Sequence, residues 1–462
     1  MLKTWITAAC IAGIGFAVPA GVSAQSKASA EPASVRRPFR GIFGAPASED
    51  SPQSLTLTGS LFGAYDGNVL AALSSRPVRD PFLQKSGPYA GSDAGFNYLV
   101  QKTGDRLSFG VASAAQMRYT RRSSDRSTTG NAFADLHADW KMTASTTLQI
   151  RETASYSPRY NFSLTPLEGE DVGHDIAILD DPAFDLFDLR AARSSSTAFV
   201  SQQIQKDTSV SVGYIFRTLQ LFDNGAQQNS PFHSYQTNAG SFQINHAHHI
   251  TRYAELQLGY DLRVSDRHSQ TGEPSVMHRI NAGVNYSRPL SFSRRTTVSF
   301  SSGSAIIPPR RRPDGTMDDQ TRYRLTGNAS IVHELGRTWT AQLSYNRGVR
   351  AHDGFGELYY IDAVYANVDG LFTRRLSWTS TARWSLSALD GSGSGVGRNG
   401  HHGESATAQA TFALNSVFGI YARYIYYSYR FGDGVRLDSR LPPALDRQGV
   451  RIGLTTSVPL IR

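Results

Sequence analysis

From about residue 54 onward, apolar and polar residues alternate in segments of ten to fifteen residues. In the clearest segment, 254–264, leucine and other apolar residues fill one phase, and Glu255, Gln257, Asp261 and Arg263 fall in the other. Successive side chains of a β-strand point to opposite faces, so each segment predicts a strand with one apolar and one wet face. We predict eighteen strands, at 54–66, 93–102, 106–120, 131–141, 146–157, 196–206, 209–219, 234–247, 252–266, 276–288, 295–307, 321–333, 337–349, 358–368, 374–388, 404–414, 417–430 and 447–459.

Short and long gaps between these segments alternate along the chain. Such alternation on an even number of strands is typical of outer-membrane barrels, which have short periplasmic turns and long external loops. We therefore predict an all-β fold: a transmembrane antiparallel up-and-down β-barrel of about eighteen strands with both termini in the periplasm. The alternative, a soluble sandwich or propeller, has more evenly spaced turns and a second layer to cover its apolar face.

The composition agrees with strands that expose every second residue to water. The mean hydropathy is −0.34, and the chain contains 41 Gly, 21 Tyr and 23 Phe. After the leader, no stretch approaches the roughly 18 consecutive apolar residues that a membrane-spanning helix needs. A closed barrel is the remaining way for such a chain to satisfy its backbone inside a membrane.

The first 24 residues have the features of a secretory signal. Lys3 precedes a short apolar run that ends before Pro19, and small residues follow it up to Ala24. We predict cleavage between Ala24 and Gln25 and delivery to the outer membrane of a Gram-negative cell. The alternative, a transmembrane anchor, is disfavoured because the apolar run is too short.

The predicted domain organisation is therefore a signal peptide at 1–24, a flexible periplasmic segment at 25–53 and a barrel at 54–462. The only cysteine, Cys10, lies in the signal. The mature chain then has no disulfide, thiolate metal site or cysteine nucleophile, and we expect no cofactor.

Histidines cluster at 246–249 and 401–402, and imidazoles at such spacings can bind metal. No set of carboxylates accompanies them, so we expect incidental surface histidines and no metal site. There is no Gly-x-Ser-x-Gly motif and no other evident nucleophile, so we do not expect an enzyme.

Arginines dominate the predicted inner face of a chain whose net charge is +9. If the polar phase faces inward, nine arginines share it: Arg118, Arg151, Arg217, Arg263, Arg279, Arg324, Arg383, Arg423 and Arg451. The acids expected there are fewer: Asp135, Asp139, Glu255, Asp261 and Asp362. A barrel of 16–18 strands leaves an aqueous channel, and positive side chains that line a pore favour anions. The alternative is that inward Arg–Asp pairs only brace the barrel.

The third long loop, 158–195, is strongly acidic. Its acids are Glu168, Glu170, Asp171, Asp175, Asp180, Asp181, Asp185 and Asp188. General porins fold their third loop into the lumen, where its acids face arginines on the opposite wall, and this loop is similar in position, length and charge. We hypothesise a constriction loop. The alternatives are an acidic loop solvated outside, or one that binds divalent cations at the lipopolysaccharide surface.

Two short motifs carry a family resemblance: Gly63–Val69 in the first strand and Ala154–Tyr160 before the third loop. They resemble segments of a broad group of outer-membrane β-barrel porins, most of whose members are uncharacterised. The similarity in layout covers most of residues 54–462. The resemblance implies a barrel in the cell envelope and supplies no catalytic residues.

Three functional hypotheses follow from these features. The leading one is a porin-like outer-membrane channel for passive passage of small, preferentially anionic solutes. The second is an exporter of an acidic exopolysaccharide, and the third is a plugged structural or receptor barrel whose loops bind a partner. The expected partners are outer-membrane lipid, lipopolysaccharide and the anionic solute or polysaccharide, with self-association left open. A secreted chain without a basic helix is not expected to bind nucleic acid.

The constriction hypothesis predicts the effect of removing the acidic segment 168–188. Deletion should raise the single-channel conductance in a planar lipid bilayer, because a wider pore carries more ions. A conductance equal to that of the intact chain would place the loop outside the pore.

Overall fold

The computed structural model describes seventeen ranges of the chain between Gln53 and Ile461. They are 53–67, 87–101, 106–121, 126–157, 160–161, 185–187, 190–222, 234–251, 253–267, 275–290, 293–307, 309–311, 317–318, 320–351, 358–389, 400–432 and 444–461. The predicted signal peptide, nearly all of the segment 25–53 and most of the predicted external loops lie outside these ranges. Within the ranges, no helix has the length and apolarity needed to cross a membrane.

The described residues form twenty-two strands, and eighteen of these belong to one sheet. In chain order they are β1 (Gln53–Asp66), β2 (Gly87–Gln101), β3 (Leu107–Arg121), β4 (Arg126–Lys141), β5 (Thr146–Ser157), β6 (Tyr160–Asn161), β7 (Asp185–Phe187), β8 (Arg190–Gln205), β9 (Thr208–Phe222), β10 (Tyr235–Thr251), β11 (Ala254–Arg267), β12 (Ser275–Leu290), β13 (Ser293–Ile307), β14 (Arg310–Arg311), β15 (Met317–Asp318), β16 (Arg322–Leu335), β17 (Trp339–Ala351), β18 (Leu358–Leu371), β19 (Leu376–Leu389), β20 (His401–Ala413), β21 (Phe418–Phe431) and β22 (Ala444–Ile461). The short pairs β6–β7 and β14–β15 are separate two-stranded sheets.

The large sheet closes on itself. Each of its strands pairs antiparallel with the preceding and following strands of the same sheet, and β1 pairs with both β2 and β22. The closing ladder runs from Leu55 opposite Ile461 to Asp66 opposite Gly449. A closed ladder leaves no free strand edge, so backbone groups are satisfied within the barrel. The predicted eighteen-stranded antiparallel barrel is confirmed.

Every predicted strand is present, and several extend beyond the predicted ends. β2 begins at Gly87, β4 at Arg126 and β8 at Arg190, five or six residues before the predicted starts. In these extensions glycine, serine, threonine and arginine occupy both faces. Alternation marks a strand only where one face is apolar, so these ends carried no period-two signal.

The two faces of the barrel differ sharply in exposure. Leu61 on β1 has 64% of its surface exposed, whereas its neighbour Phe62 has 5%. Ile452 and Leu454 on β22 lie on the face of Leu61 and are likewise exposed. Side chains on the concave inner face crowd one another, while those on the convex face diverge. A one-residue slip in register would exchange the two sets, so the apolar pattern fixes the register.

Aromatic residues lie near the ends of several strands on the outer face. Trp140 is the last residue but one of β4, and Trp339 begins β17, which is the placement of an interfacial girdle. The indole of Trp339 lies over Gly370 so closely that a Cβ there would be 2.3 Å from the ring. Phe372 meets the same indole edge to face at 4.7 Å between ring centroids. The absence of a side chain at Gly370 therefore leaves room for the Trp339 indole on the neighbouring strand.

Candidate functional site

Register places the nine predicted arginines in the inner-face phase of their strands. Arg423 on β21 pairs with Arg451 on β22, and Arg451 in turn pairs with Ala64 on β1. Arg118 on β3 pairs with Gly91 on β2. Arg279 holds the same phase opposite Asp261, although its side chain lies outside the described part. The arginines are thus distributed around the inner face, with one concentration where the barrel closes.

Further arginines of the same phase escaped the sequence prediction, among them Arg193, Arg322 and Arg447. Arg322 and Arg447 lie two and four residues from predicted members of the set. The alternation of side chains along a strand therefore already assigned both to the inner face. Arg193 lies in the extension of β8, where the alternation gives no signal.

One predicted inner acid lies on the other face. Asp362 pairs across strands with Arg347 on the outer face of β17. Arg347 Nε lies 3.1 Å from Asp362 Oδ1, and the Tyr345 hydroxyl donates a hydrogen bond of 2.5 Å to the same oxygen. The prediction of an inward Asp362 was wrong, because consecutive apolar residues at 359–361 obscure the alternation in β18. Tyr359 and Ile361 are the inward, buried side chains there.

Arginines predominate over carboxylates on the inner face of the described strands. The nine predicted arginines alone exceed the acids that share their phase, and the additional arginines increase the excess. Those acids are Asp66, Asp93, Asp135, Asp139, Glu255, Asp261, Glu334 and Asp369. The inner face therefore carries net positive charge.

The seam wall is the inner face where β3, β2, β1, β22 and β21 adjoin, and it is built around Asp93. Ser60 Oγ donates to Asp93 Oδ2 at 2.7 Å, and Gln116 Nε2 donates to Oδ1 at 2.5 Å. Arg451 Nη1 lies 3.7 Å from Oδ2. Arg118 Nε donates to Gln116 Oε1 at 2.9 Å. One carboxylate thus anchors two arginines, one directly and one through a glutamine, so the wall stays positive.

Aromatic rings hold the two guanidinium groups of the seam wall. Arg451 lies 3.9 Å from the centroid of the Phe62 ring, and its side chain is only 3% exposed. Arg118 lies 5.8 Å from the Tyr89 ring centroid, and Phe62 meets Tyr89 edge to face. Cations over aromatic faces at these distances are attracted by the ring quadrupole. Arg118 and Arg451 therefore brace the wall, which is the structural role that the sequence left open.

Arg151 occupies a different environment on the inner face. Its side chain is 58% exposed, although Nε lies 2.7 Å from Asp135 Oδ2. Arg383 lies over the Tyr365 ring at 5.8 Å. The inner face thus holds both packed and accessible arginines, and the accessible ones can meet a solute directly.

The predicted constriction acids lie outside the described residues, except Asp185. Asp185 begins β7 and pairs with Asn161 of β6. Glu168, Glu170, Asp171, Asp175, Asp180, Asp181 and Asp188 are not described.

The histidines have structural contacts. His401, expected at the surface, is 2% exposed, and its Nδ1 lies 2.6 Å from Ser387 Oγ. Its burial follows from its place at the start of β20, on the inner face. His246 Nδ1 lies 2.9 Å from Thr208 Oγ1. Among the described side chains, no group of three or more His, Cys, Asp or Glu could hold a metal ion.

Comparisons identify similar folds without identifying a family. No family model matches the chain, and no curated protein matches it. OccK11 (OpdR) of Pseudomonas aeruginosa is 11% identical, with a TM-score of 0.40, 90% of this chain covered and 99% of that one. The FrpB iron transporter of Neisseria meningitidis is 10% identical, with a TM-score of 0.45 and coverages of 90% and 84%. A ferric enterobactin receptor (PfeA) mutant of Pseudomonas aeruginosa is 11% identical, with a TM-score of 0.43 and coverages of 91% and 84%.

The seam wall predicts a large effect of removing its carboxylate. Asp93→Ala should lower the free energy of unfolding by about 3 kcal/mol, because it leaves a buried guanidinium without its counter-ion. Denaturant unfolding from lipid vesicles measures the change. Ser92→Ala, one residue away on the outer face, is the matched control and should be close to neutral. Equal stability of the two variants would contradict the bracing role of Asp93.

Proposed function

We propose that the chain forms an outer-membrane channel for passive passage of small, preferentially anionic solutes. The observation that carries this proposal is the excess of arginine over carboxylate on the inner face of a closed eighteen-stranded barrel. A barrel of this size leaves an aqueous lumen. Fixed positive charge around such a lumen raises the local concentration of anions and lowers that of cations.

The outer face supports placement in a membrane. Its exposed side chains include Leu61, Tyr323, Leu325 and Ile452, each at least 58% exposed. An apolar surface that encircles a barrel is far larger than the patches that soluble monomers expose. Together with the predicted signal at 1–24, this surface favours the outer membrane of a Gram-negative cell.

Both described ends of the chain lie at the same rim. β1 begins and β22 ends there, since Leu55 pairs with Ile461. The strands that end at Lys141, Leu371 and Ala413 run in the same direction as β22. The short turns that follow these strands therefore lie at the same rim as the end of β22. We assign this rim to the periplasm, where barrels of this class have their short turns.

The arginines would act in two ways. Arg118 and Arg451 supply a fixed positive wall that one aspartate does not neutralise. Arg151 and other accessible arginines would contact a passing anion. The acidic segment 168–188, if it folds inward, would narrow the pore opposite this charge and restrict passage to small solutes.

Reversal potential in a planar lipid bilayer under a KCl gradient tests the proposal. The wild-type chain should give open steps with a chloride-selective potential. Replacing Arg263, Arg383 and Arg423 together by glutamine should shift the potential towards that of potassium, because these residues share the inner phase.

Arg347→Gln is the matched control, since Arg347 carries the same charge on the outer face. It should leave the reversal potential unchanged. A cation-selective wild-type pore would contradict the anion preference. A barrel that inserts but never opens would contradict the channel itself and favour an exporter or a plugged receptor.

A further inference from the structure

Glu152 lies on the outer face of β5, in the middle of the apolar band. Its cross-strand neighbours are Leu136 on β4 and Ser196 on β8, both in the outer phase. Four residues separate it from Leu148, which pairs with Trp140 near one rim, and four from Tyr156 towards the other. Four residues of a tilted strand span about 10 Å of membrane depth. Glu152 is therefore near the middle of a band about 25 Å tall.

The environment of Glu152 contains no cation among the described residues. The side chain is exposed, and its hydrogen-bond partner is Ser196 on the adjacent strand. Two other outer-face carboxylates have charged or ionisable partners: Asp362 binds Arg347, and Glu404 lies 3.1 Å from His402. Asp446 accepts a hydrogen bond from Ser428, but it lies near the end of β22 and not at mid-depth. A carboxylate at mid-depth costs free energy against lipid, and such residues usually meet protein or water.

Small side chains occupy several outer-face positions around Glu152, beside the larger Leu136. Ala134 on β4, Ala154 on β5, and Ser194 and Ala198 on β8 share its face. At the seam the outer positions of β1 and β22 include the large Leu61, Ile452 and Leu454, and small residues such as Ser92 lie on β2. Small side chains allow the backbones of two membrane segments to approach closely. The outer surface of β4, β5 and β8 differs from the seam in its mid-depth carboxylate, and the small side chains beside that carboxylate leave room for a second backbone.

We infer that a second copy of this chain covers the outer face of β4, β5 and β8 in a two-fold symmetric dimer. The face is self-complementary, because its acceptor, Glu152, and its hydroxyl donors, Ser194 and Ser196, lie on adjacent strands. A two-fold axis between β5 and β8 sets each carboxylate against the hydroxyls of the other copy. Lipid acyl chains offer no such donor.

The available area is sufficient for a small specific interface. Strands about 4.8 Å apart and a band about 25 Å tall give roughly 500 Å² for β4, β5, β8 and β9, where β9 is the counterpart of β4 across the axis between β5 and β8. Two copies would bury about 1,000 Å², which is the lower limit for a specific interface. The inference rests on the membrane placement proposed above and is independent of conduction.

Disulfide cross-linking in membranes tests the dimer. In a Cys10→Ser background, Ala154→Cys and Ser194→Cys lie at the expected axis, since these positions pair across β5 and β8. Leu343→Cys is the matched control, an outer-face position on β17 that is 49% exposed. Oxidation should give a species of twice the chain mass for the first two variants and none for the control. Equal cross-linking at all three positions, or at none, would overturn the inference.

A second measurement isolates the role of Glu152. Light scattering of the extracted barrel should give the mass of two chains for the wild type and of one for Glu152→Leu, which removes the acceptor. A dimer that Glu152→Leu leaves intact, or a wild-type trimer or monomer, would overturn the inference. Heat-dependent gel mobility of every variant reports barrel folding, so failure of the membrane placement is distinguishable from failure of the dimer.

Discussion

The structure depends on one constraint: inside a membrane, every backbone N–H and C=O must bond to another backbone group. Antiparallel pairing from β1 round to β22 and back to β1 meets this constraint without a free edge. Closure also fixes which side of each strand is concave. The inner face must then be filled by side chains that tolerate crowding and water, and the outer face by side chains that tolerate lipid.

The two faces therefore follow opposite rules, and the exceptions are informative. Arginine is stable on the inner face where an aromatic ring and a shared carboxylate hold it, as Phe62 and Asp93 hold Arg451. On the outer face, charge occurs as a closed pair in Arg347 and Asp362. Glu152 has no such pair among the described residues, which is why it indicates protein contact in place of lipid.

Most of the barrel could be predicted from the sequence, because an apolar face on every strand imposes a period of two. The period fails where both faces are polar, as at the start of β8, so Arg193 was missed. It also fails where both faces are apolar, as at 359–361, so Asp362 was assigned to the wrong face. Asp93 could not be recognised as an anchor, because Arg451 comes from the last strand and because only the register of β1, β2 and β3 brings Ser60 and Gln116 opposite it.

The claim that one face of each strand meets water and the other meets lipid is tested most directly on β11, where apolar and polar residues alternate most clearly. Cysteines placed singly at 256–263 in a Cys10→Ser background, in proteoliposomes, can be treated with a water-soluble maleimide. The account predicts labelling at every second position, those in phase with Asp261, and protection at those in phase with Leu258, which faces lipid. Labelling of both phases alike would contradict a membrane-spanning barrel with an aqueous lumen.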